Sequence, residues 1–453
     1  MRVRYHTFGC KANQYDTERM RQEAEARGAV TSGDTSETDV LVINTCTVTN
    51  QADAEARRFI RRVHREHPDV RMVVAGCSAA LREEEYRAMD GVADVVRGHD
   101  AVLVAEALDR QQNGSLTQIE LRSSLDRIDH EPVGGELLRT RRGAARGWLK
   151  VQDGCDRKCS FCATRLARGV SRSRPLSEVV AEARLLSERH AELVITGIHI
   201  GHYGIDREPE LTLSRLCVEL LDKIPDVRFR IGSVEATEVD DLLIELMATS
   251  GGRLAPHLHM PLQSGADPVL RLMRRWHTRE QYRARALEIA ERISPLGLGA
   301  DVITGFPGET EDDHEITRAL IEELPFTYLH VFPFSPRKDT VAESLPSPVP
   351  QRIAGDRARE LRMLAQHQGA AYRRRRSGSS ATVVVEGDGG TGLTGDYLRV
   401  RIGASIGKDG TVGEERSTPR SSFAHGTLLT GTLRGDPDDL YIESPDDSAL
   451  PLA

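Results

Sequence analysis

The 453-residue sequence contains no apolar stretch long enough to cross a bilayer, which argues against a membrane protein. It also lacks an apolar segment of the signal-peptide kind near its start, where a strand pattern begins at once. Basic residues are not in excess: the formal net charge is −8, which taken alone argues against a general nucleic-acid binder. The length indicates about three domains. These features predict a multi-domain cytoplasmic protein with no membrane partner.

Cysteine is scarce, with seven in the chain, yet Cys155, Cys159 and Cys162 are packed into one short Cx3CxxC loop. Three thiolates at this spacing can hold three irons of a [4Fe–4S] cluster and leave the fourth iron open. The alternatives are a zinc knuckle or buried thiols. Zinc needs a fourth ligand with its own spacing, and none follows nearby. The triplet therefore predicts an iron–sulfur site with an open coordination position.

An open iron can bind the amino and carboxylate groups of S-adenosylmethionine (SAM). One electron from the cluster then cleaves SAM and releases a 5′-deoxyadenosyl radical. With the aromatic Phe161 directly before Cys162, the triplet resembles the signature of the radical SAM superfamily. The resemblance implies a [4Fe–4S] cluster and SAM as cofactors. Thiolates used for iron also favour a reducing compartment.

Cys10, Cys46 and Cys77 each end a short apolar run that is typical of a buried strand. Helical patterns separate these runs, which indicates a β-α-β-α-β unit with a parallel sheet. Ligands of such sheets gather at the carboxyl ends of the strands, so we expect these thiols to share one crevice and hold a second cluster. Three small buried hydrophobic side chains are the alternative. Cys217 takes an apolar position in an amphipathic helical pattern, which predicts core packing rather than a ligand.

Basic residues are clustered in spite of the negative net charge. Taken singly, each cluster can be explained as a solvent-exposed helix face with no binding function. Clusters on both sides of the predicted site favour a polyanionic substrate. They are Arg57, Arg58, Arg61, Arg62 and Arg65; Arg139, Arg141, Arg142 and Arg146; and the run Arg373–Arg376.

The predicted fold class is α/β with three domains. Residues 1–138 form an α/β domain with a parallel sheet. Residues 139–376 alternate six strand patterns with helical ones, which indicates a partial (βα) barrel whose catalytic loops lie at the carboxyl ends of its strands. Residues 377–445 contain short strands punctuated by glycine, which predicts a small β-barrel of a kind that often binds nucleic acids.

Two three-cysteine sets ahead of a small β-barrel resemble the methylthiotransferase family over essentially the whole chain, and the tail resembles its TRAM domain. Three passages are most similar to the branch that modifies N6-threonylcarbamoyladenosine (t6A) in tRNA. The branches acting on isopentenyl-adenosine or on ribosomal protein S12 carry other residues there. The three passages are Phe8–Glu18, Asn44–Asn50 and Thr196–Gly204.

The resemblance implies conversion of t6A to its 2-methylthio derivative at position 37 of the anticodon stem-loop, by radical sulfur insertion and methylation. It implies two [4Fe–4S] clusters, with Cys155, Cys159 and Cys162 on the SAM-binding cluster and Cys10, Cys46 and Cys77 on an auxiliary one. It implies tRNA, a sulfur source and an electron donor such as flavodoxin or ferredoxin as partners. It implies no acid–base catalytic residue. The implied SAM pocket consists of Phe161, Thr196, Gly197, Gln263, Ser264 and Gly305.

The chain departs from the family pattern at a few positions and keeps all the cluster ligands. Arg165 and Leu166 stand where the family has a proline and often an aromatic residue. Asp339 and Val341 replace a glycine and a proline, and Ala80 replaces a polar residue. Two other functions stay open at this point. One is methylthiotransfer to isopentenyl-adenosine or to ribosomal protein S12, and the other is a two-cluster electron carrier or non-catalytic tRNA-binding protein, against which the (βα) barrel argues.

Overall fold

The computed structural model describes residues 1–113, 137–208, 210–387, 389–403, 424 and 426–443. They form three regions, each with its own sheets, and the predicted α/β class is confirmed. The domain boundaries at 138 and 376 stay predictions. The polar stretch 114–136 and the predicted end at 445 lie outside the described residues. In the described ranges no helix combines the length and the apolarity of a membrane span.

The first region is a five-stranded parallel sheet in the order β2-β1-β3-β4-β5. Alternate residues of β3 serve two cores: Val40 and Val42 pack against one helical layer, and Leu41 and Ile43 against the other. The sequence predicted the three central strands and missed both edges, which are short. The strands are β1 Arg2–Thr7, β2 Val30–Thr31, β3 Val40–Thr45, β4 Arg71–Gly76 and β5 Val92–Val95. The helices are α1 Lys11–Ala26, α2 Asn50–Glu66, α3 Cys77–Leu81, α4 Glu83–Arg87 and α5 Ala101–Asn113.

The second region is a partial barrel of six parallel strands that follow one another in chain order. The strand sets β6-β9-β10 and β11-β12-β13 are joined by the parallel bridges Phe229–Leu254 and Ser233–His259. All six predicted strands are present. These are β6 Arg146–Lys150, β9 Glu192–Thr196, β10 Arg228–Ile231, β11 His257–His259, β12 Gly297–Thr304 and β13 Tyr328–Pro333. A two-stranded antiparallel pair, β7 Gln152–Asp153 and β8 Arg172–Ser173, flanks the cysteine loop.

The helices of the second region pack outside the strands and bury an apolar core with them. Leu149, Leu258 and Val331 belong to this core. The residues that alternate with them face the barrel lumen and are polar or aromatic. The lumen-facing set includes Trp148, Lys150, His257, His259, Asp301, Tyr328 and His330. The helices are α6 Thr164–Arg168, α7 Leu176–Ser187, α8 Leu213–Lys223, α9 Asp241–Thr249, α10 Asp267–Leu272, α11 Arg279–Arg292, α12 Glu311–Glu323 and α13 Gln351–Arg376.

The third region is a closed five-stranded barrel in the order β14-β15-β16-β18-β17. The sequence predicted three of these strands and missed the short β15 and β18. The small barrel lies at the amino ends of β6, β9 and β10, because Arg228 and Arg230 on β10 donate hydrogen bonds to four of its backbone carbonyls. The strands are β14 Ser380–Glu386, β15 Thr391–Thr394, β16 Arg399–Ile402, β17 Leu428–Arg434 and β18 Tyr441–Glu443.

Candidate iron–sulfur and nucleoside site

Cys155, Cys159 and Cys162, here called the loop triad, lie in the connection from β7 to α6 at the carboxyl end of the barrel. The loop is fixed by its backbone: Cys155 N–H donates to Gly169 O at 3.1 Å, and Cys162 N–H donates to Cys159 O at 3.3 Å. Gly154 precedes it with φ +70, and a Cβ there would lie 1.8 Å from Val170 O. Only glycine fits this turn, which brings the thiols into one partly exposed loop.

Burial dominates the electrostatics of the loop triad. It raises the pKa of Cys155 to about 12 and also raises that of Cys159. Arg275 Nη1 donates towards Cys159 Sγ at 3.6 Å, and His199 Nδ1 lies 3.7 Å from Cys155 Sγ. A thiol in such a place becomes a thiolate only with compensating positive charge, which a metal cluster supplies.

Cys10, Cys46 and Cys77, here called the strand triad, follow β1, β3 and β4, which are neighbours in the sheet. Asn13 Oδ1 lies 3.7 Å from Sγ of Cys10 and 3.7 Å from Sγ of Cys77. Gly9 packs against Cys46, since a Cβ on Gly9 would lie 2.5 Å from Cys46 Sγ. The structure therefore brings these thiols to one sheet edge. Their role as ligands stays a prediction.

Two members of the strand triad, Cys46 and Cys77, are buried more deeply than the loop triad, whereas Cys10 is exposed. Cys46 is 2% exposed and Cys77 is 6% exposed. Burial raises the pKa of Cys46 to about 11 and that of Cys77 to about 12. Cys217 also has its pKa raised by burial to about 12, but it lies on α8 in the barrel core, away from both triads. Its core position agrees with the prediction from the sequence.

Arg168 connects the two triads. It ends α6, which follows Cys162, and it is fully buried. Its Nε donates to Cys77 Sγ at 3.1 Å, and its Nη2 donates to Asn13 Oδ1 at 2.7 Å. Its Nη1 donates to Asp153 Oδ2 at 2.9 Å, two residues before the loop triad. One guanidinium thus holds both cysteine sets against a common buried charge cluster.

The carboxylates of that cluster are ionised. Asp16 accepts from Arg168 and from Lys150, and Asp153 accepts from the same two cations. Burial opposes the ionisation of Asp153, yet Arg168 and Lys150 hold its pKa well below the usual range. Sequence inspection missed this cluster, because Asp16 lies 134 residues from Lys150 and 152 residues from Arg168.

Three of the predicted SAM-pocket residues lie in the loop triad's segment or beside the strand that leads into it. Phe161 lies within the loop and packs edge-on to Phe306 with ring centroids 6.4 Å apart. Thr196 ends β9, and its carbonyl accepts from Val151 N–H at 2.9 Å. Gly197 follows, where a Cβ would lie 2.7 Å from Gln152 O, so this turn passes closely over the strand that leads into the loop.

The other three predicted pocket residues stabilise the turns in which they lie. Gln263 has φ +66 and exchanges backbone hydrogen bonds with Asp301 and Ile303 at 2.8 and 2.9 Å. Ser264 Oγ accepts from Ala266 N–H at 3.2 Å and lies 3.3 Å from Thr317 Oγ1. Gly305 has φ +71, and a Cβ there would meet Ala354 at 2.3 Å. Contacts of all six predicted residues with SAM stay predictions.

A chain of hydrogen-bonding side chains runs through the lumen, and sequence inspection missed it. His257 Nε2 lies 2.8 Å from Tyr328 Oη, which lies 3.1 Å from His259 Nδ1. Asp301 Oδ1 lies 3.2 Å from both His259 Nε2 and His330 Nδ1. Burial raises the pKa of Asp301, but hydrogen bonds from the two histidines hold it below its usual range. The i, i+2 spacing of these residues on β11 and β13 was the available signal.

The basic clusters differ in exposure. Arg58, Arg61, Arg62 and Arg65 line a groove of about 610 Å³ whose floor is His6, Phe8 and Phe59, here called the α2 groove. His6 and Phe59 stack with ring centroids 4.1 Å apart, and Arg62 lies 5.3 Å from the Phe59 ring. By contrast, Arg376 in the run Arg373–Arg376 is neither on a solvated helix face nor available to a polyanionic substrate. That residue is 8% exposed and pairs with Asp396 at 2.8 Å.

The positions that depart from the family pattern are accommodated locally. Asp339 takes φ +69, a left-handed conformation that glycine adopts freely and aspartate tolerates. Val341 begins a short 3-10 helix and is 43% exposed, and Leu166 is 44% exposed. Arg165 is half-buried on α6. Ala80 packs with Cys77 and Ala167, so a small residue there lets α3 approach α6.

The sequence matches the profiles of two families. Residues 2–98 match the uncharacterized protein family UPF0004, and residues 149–321 match the Radical SAM superfamily. The first match covers the strand triad and the second covers the loop triad.

Curated proteins match most of the chain. Threonylcarbamoyladenosine tRNA methylthiotransferase MtaB of Rickettsia prowazekii is 34% identical over 84% of this chain and 86% of its own. The protein of the same name from Bacillus subtilis is 36% identical over 82% of this chain and 81% of its own. A tRNA-2-methylthio-N(6)-dimethylallyladenosine synthase of Bacillus pumilus is 32% identical over 84% of this chain and 75% of its own.

Among solved structures, the radical S-adenosylmethionine methyltransferase TsrM of Kitasatospora setae aligns with a TM-score of 0.56. The alignment covers 73% of this chain and 74% of that one, at 17% sequence identity. This likeness concerns the fold.

Proposed function

This chain belongs to the radical SAM family of tRNA methylthiotransferases, and on that premise we propose that it converts t6A at position 37 of tRNA to 2-methylthio-t6A. Two relatives named threonylcarbamoyladenosine tRNA methylthiotransferase are 34% and 36% identical to it over more than four fifths of its length. The enzyme uses a [4Fe–4S] cluster and SAM, as its radical SAM domain implies.

The observation that carries the proposal is the placement of two cysteine triads on either side of Arg168 at one end of the barrel. All seven cysteines are described, and Cys217 lies apart from both sets, so each triad offers three sulfur donors and no fourth cysteine. Three donors suit a four-iron cluster with one open iron. We assign the SAM-binding cluster to the loop triad and a second [4Fe–4S] cluster to the strand triad.

The chemistry explains why two such groups are needed. C2–H of an adenine is neither acidic nor electrophilic at neutral pH, so acid–base catalysis offers no easy route to a C–S bond there. SAM bound at the loop triad's cluster would supply a carbon-centred radical, a second SAM would supply the methyl group, and the open iron of the second cluster would hold the sulfur delivered by the sulfur source. The protein supplies positioning, through Arg168 and the buried carboxylates that fix both cysteine sets in one frame. A one-electron donor such as flavodoxin or ferredoxin and a separate sulfur source complete the proposal.

The α2 groove supports a nucleic-acid substrate. Its arginines can contact phosphates, and its aromatic floor can stack an unpaired base of the anticodon loop. Replacing Arg61, Arg62 and Arg65 by Ala should reduce the salt slope of tRNA binding by roughly 2, at about 0.7 per phosphate contact. Arg352 and Arg359, which are 85% and 67% exposed on α13, provide the matched control. An unchanged salt slope, with slower reduction by flavodoxin, would assign the groove to the electron donor instead.

Dimethylallyladenosine is the second candidate substrate, because a synthase of its methylthio derivative is 32% identical to this chain. The polar lumen favours t6A, whose substituent is anionic, over an apolar dimethylallyl group, because Lys11 and Arg146 lie 5.9 and 5.6 Å from the lumen-facing Trp148 ring.

The decisive experiment is nucleoside mass spectrometry of tRNA from cells that lack this protein. We expect 2-methylthio-t6A to disappear and t6A to accumulate, while 2-methylthio-dimethylallyladenosine is unchanged. A gene carrying Cys217→Ala should restore the modification, and one carrying Cys155→Ala should not. Loss of the dimethylallyl derivative instead would move the enzyme to the other substrate.

A further inference from the structure

The floor of the barrel lumen carries more positive than negative charge. Glu192 is fully buried at the start of β9 and accepts from Arg228 at 2.5 Å and from Arg230 at 2.8 Å. Arg146 lies 3.7 Å from the same carboxylate and 3.0 Å from Glu386. With Lys11, whose charge interacts with Arg146, Arg230 and Glu192, four cations face these two carboxylates. An excess of buried positive charge is costly unless an anion accompanies it.

Lys11 is the cation without a counter-ion. It begins α1, directly after Cys10. Its Nζ lies 5.9 Å from the centre of the Trp148 ring on β6. Among the described residues, no carboxylate forms an ion pair or hydrogen bond with this ammonium group. It is only half-buried, so the group remains accessible to a ligand that enters the lumen.

Two further donors near Lys11 make no hydrogen bond within the described structure, although one of them, Arg146 Nη1, lies 3.7 Å from Glu192 Oε1. Arg146 Nη1 and His257 Nδ1 are both buried without a hydrogen-bond partner. His257 is 2% exposed. Burial lowers its pKa, and the charges of Arg230 and Lys11 lower it further, so the ring is neutral and these cations lie around it. Unsatisfied buried donors are uncommon in folded proteins, and two of them whose residues interact electrostatically with Lys11 indicate a missing acceptor.

The surroundings of these donors suit a flat base. The His257 ring stacks on Tyr397 with centroids 4.2 Å apart, and Tyr328 lies 5.3 Å from Tyr397. The ligand that fits these surroundings is therefore a planar base that carries an anionic group such as a carboxylate. A threonylcarbamoyl adenine has this chemistry, since its substituent ends in a free carboxylate.

We propose that Lys11, together with Arg146 and His257, binds the carboxylate of the threonylcarbamoyl group and so selects t6A over adenosines with uncharged substituents. This inference rests on the proposed function, because it names the substrate group that the lumen recognises. Lys11 acts in binding and specificity, while the chemistry stays with the two triads. A phosphate of the RNA backbone is the other source of an anionic oxygen.

The test measures binding of anticodon stem-loops by the anaerobically reconstituted full-length enzyme. The stem-loops carry t6A, the methyl ester of t6A, or unmodified adenosine at position 37. We expect the wild-type enzyme to prefer t6A over both other RNAs. Lys11→Met should weaken t6A binding by about tenfold to a hundredfold, the range for hydrogen bonds to charged groups, and leave unmodified RNA unaffected. Lys11→Arg should retain part of the preference.

Lys223→Met is the matched control, because Lys223 pairs with Glu219 on the outer face of α8. Iron content and uncoupled SAM cleavage are measured for every variant. They are needed because Lys11 is next to Cys10, a proposed cluster ligand, and its replacement could disturb the cluster. If Lys11→Met loses iron, the test uses the wild-type enzyme alone. Equal affinity of the wild-type enzyme for the stem-loops with t6A and with its methyl ester would then overturn the proposal. Equal weakening of all RNAs by Lys11→Met would assign Lys11 to a backbone phosphate and also overturn it. A wild-type enzyme that modifies no t6A would refute the proposed function, a result that the Lys11 variants cannot produce.

Discussion

The two cysteine triads offer the same three donors but are built in opposite ways. The loop triad comes from eight consecutive residues, and its thiols are partly exposed. The strand triad comes from the ends of β1, β3 and β4, so its members meet only after three strands have paired in register. Each triad has one arginine that donates to one of its thiols, Arg275 to Cys159 and Arg168 to Cys77.

This difference implies different dependence on the rest of the fold. A short loop closes at little entropic cost, whereas bringing together residues from distant strands requires the whole sheet. Metal binding at the strand triad should therefore be coupled to the stability of the first region, and iron at the loop triad should respond mainly to the barrel.

The largest effect is expected when Cys155, Cys159 and Cys162 are all replaced by Ala. The wild-type enzyme should bind about eight irons, two four-iron clusters, and the variant roughly half. SAM cleavage should be abolished, because no open iron remains to bind SAM. Iron analysis and chromatographic detection of 5′-deoxyadenosine measure both effects. Continued production of 5′-deoxyadenosine would contradict the assignment of the radical to the loop triad.

Replacing Cys10, Cys46 and Cys77 by Ala should stop sulfur insertion while leaving uncoupled SAM cleavage intact. The reason is that the strand triad holds the sulfur-supplying cluster in the proposed function. Iron should again fall to roughly half, four of about eight. The comparison of 5′-deoxyadenosine with methylthiolated RNA measures the separation. Loss of SAM cleavage in this variant would mean that the two sites do not function separately.

Arg168→Met removes the group that bonds both to Cys77 of the strand triad and to Asp153, two residues before the loop triad. It leaves Asp16 and Asp153 buried with fewer partners, and breaking a buried ion pair costs about 3–5 kcal/mol of unfolding free energy. Chemical denaturation measures the loss, and iron analysis should show that the strand triad is affected first, because Arg168 donates to Cys77. Arg165→Met on the same helix is the control and should change stability little. Equal effects of the two substitutions would contradict the linking role of Arg168.

Cys217→Ala should change the least. The side chain is 1% exposed in the core and distant from both triads, so we expect full iron and full activity. The stability cost should be about 1 kcal/mol, as for a small core truncation. Thermal unfolding with parallel iron analysis checks both expectations. A clear loss of iron would mean that Cys217 participates in a cluster after all.

The sequence supported the architecture well where patterns are local. The six barrel strands and the Cx3CxxC loop were predictable, because periodicity and spacing lie within short windows. The strand triad was placed at one sheet edge by topology alone, since carboxyl ends of adjacent parallel strands meet. The strands that were missed have two to four residues, too few for a periodic signal; they are β2, β5, β7, β8, β15 and β18.

The rest of the site depends on contacts between distant residues and could not be predicted. Arg168 lies 155 residues from Asn13 in sequence, and Lys150 lies 134 residues from Asp16. No local rule indicates that Arg376, one of four consecutive arginines, is buried against Asp396 while its neighbours are not. Lys11 was visible beside Cys10, but its missing counter-ion is a property of the assembled lumen.

The attachment of the C-terminal barrel to β10 has an evolutionary consequence. Arg228 and Arg230 bond to backbone carbonyls of residues 382, 393, 394 and 395, and every residue type has a carbonyl. The side chains on that barrel can therefore diverge without disturbing its attachment. Deleting the barrel would instead leave two buried guanidinium groups short of acceptors beside the nucleoside site. The attachment thus permits sequence drift on the outer surface of the barrel, but it disfavours loss of the barrel.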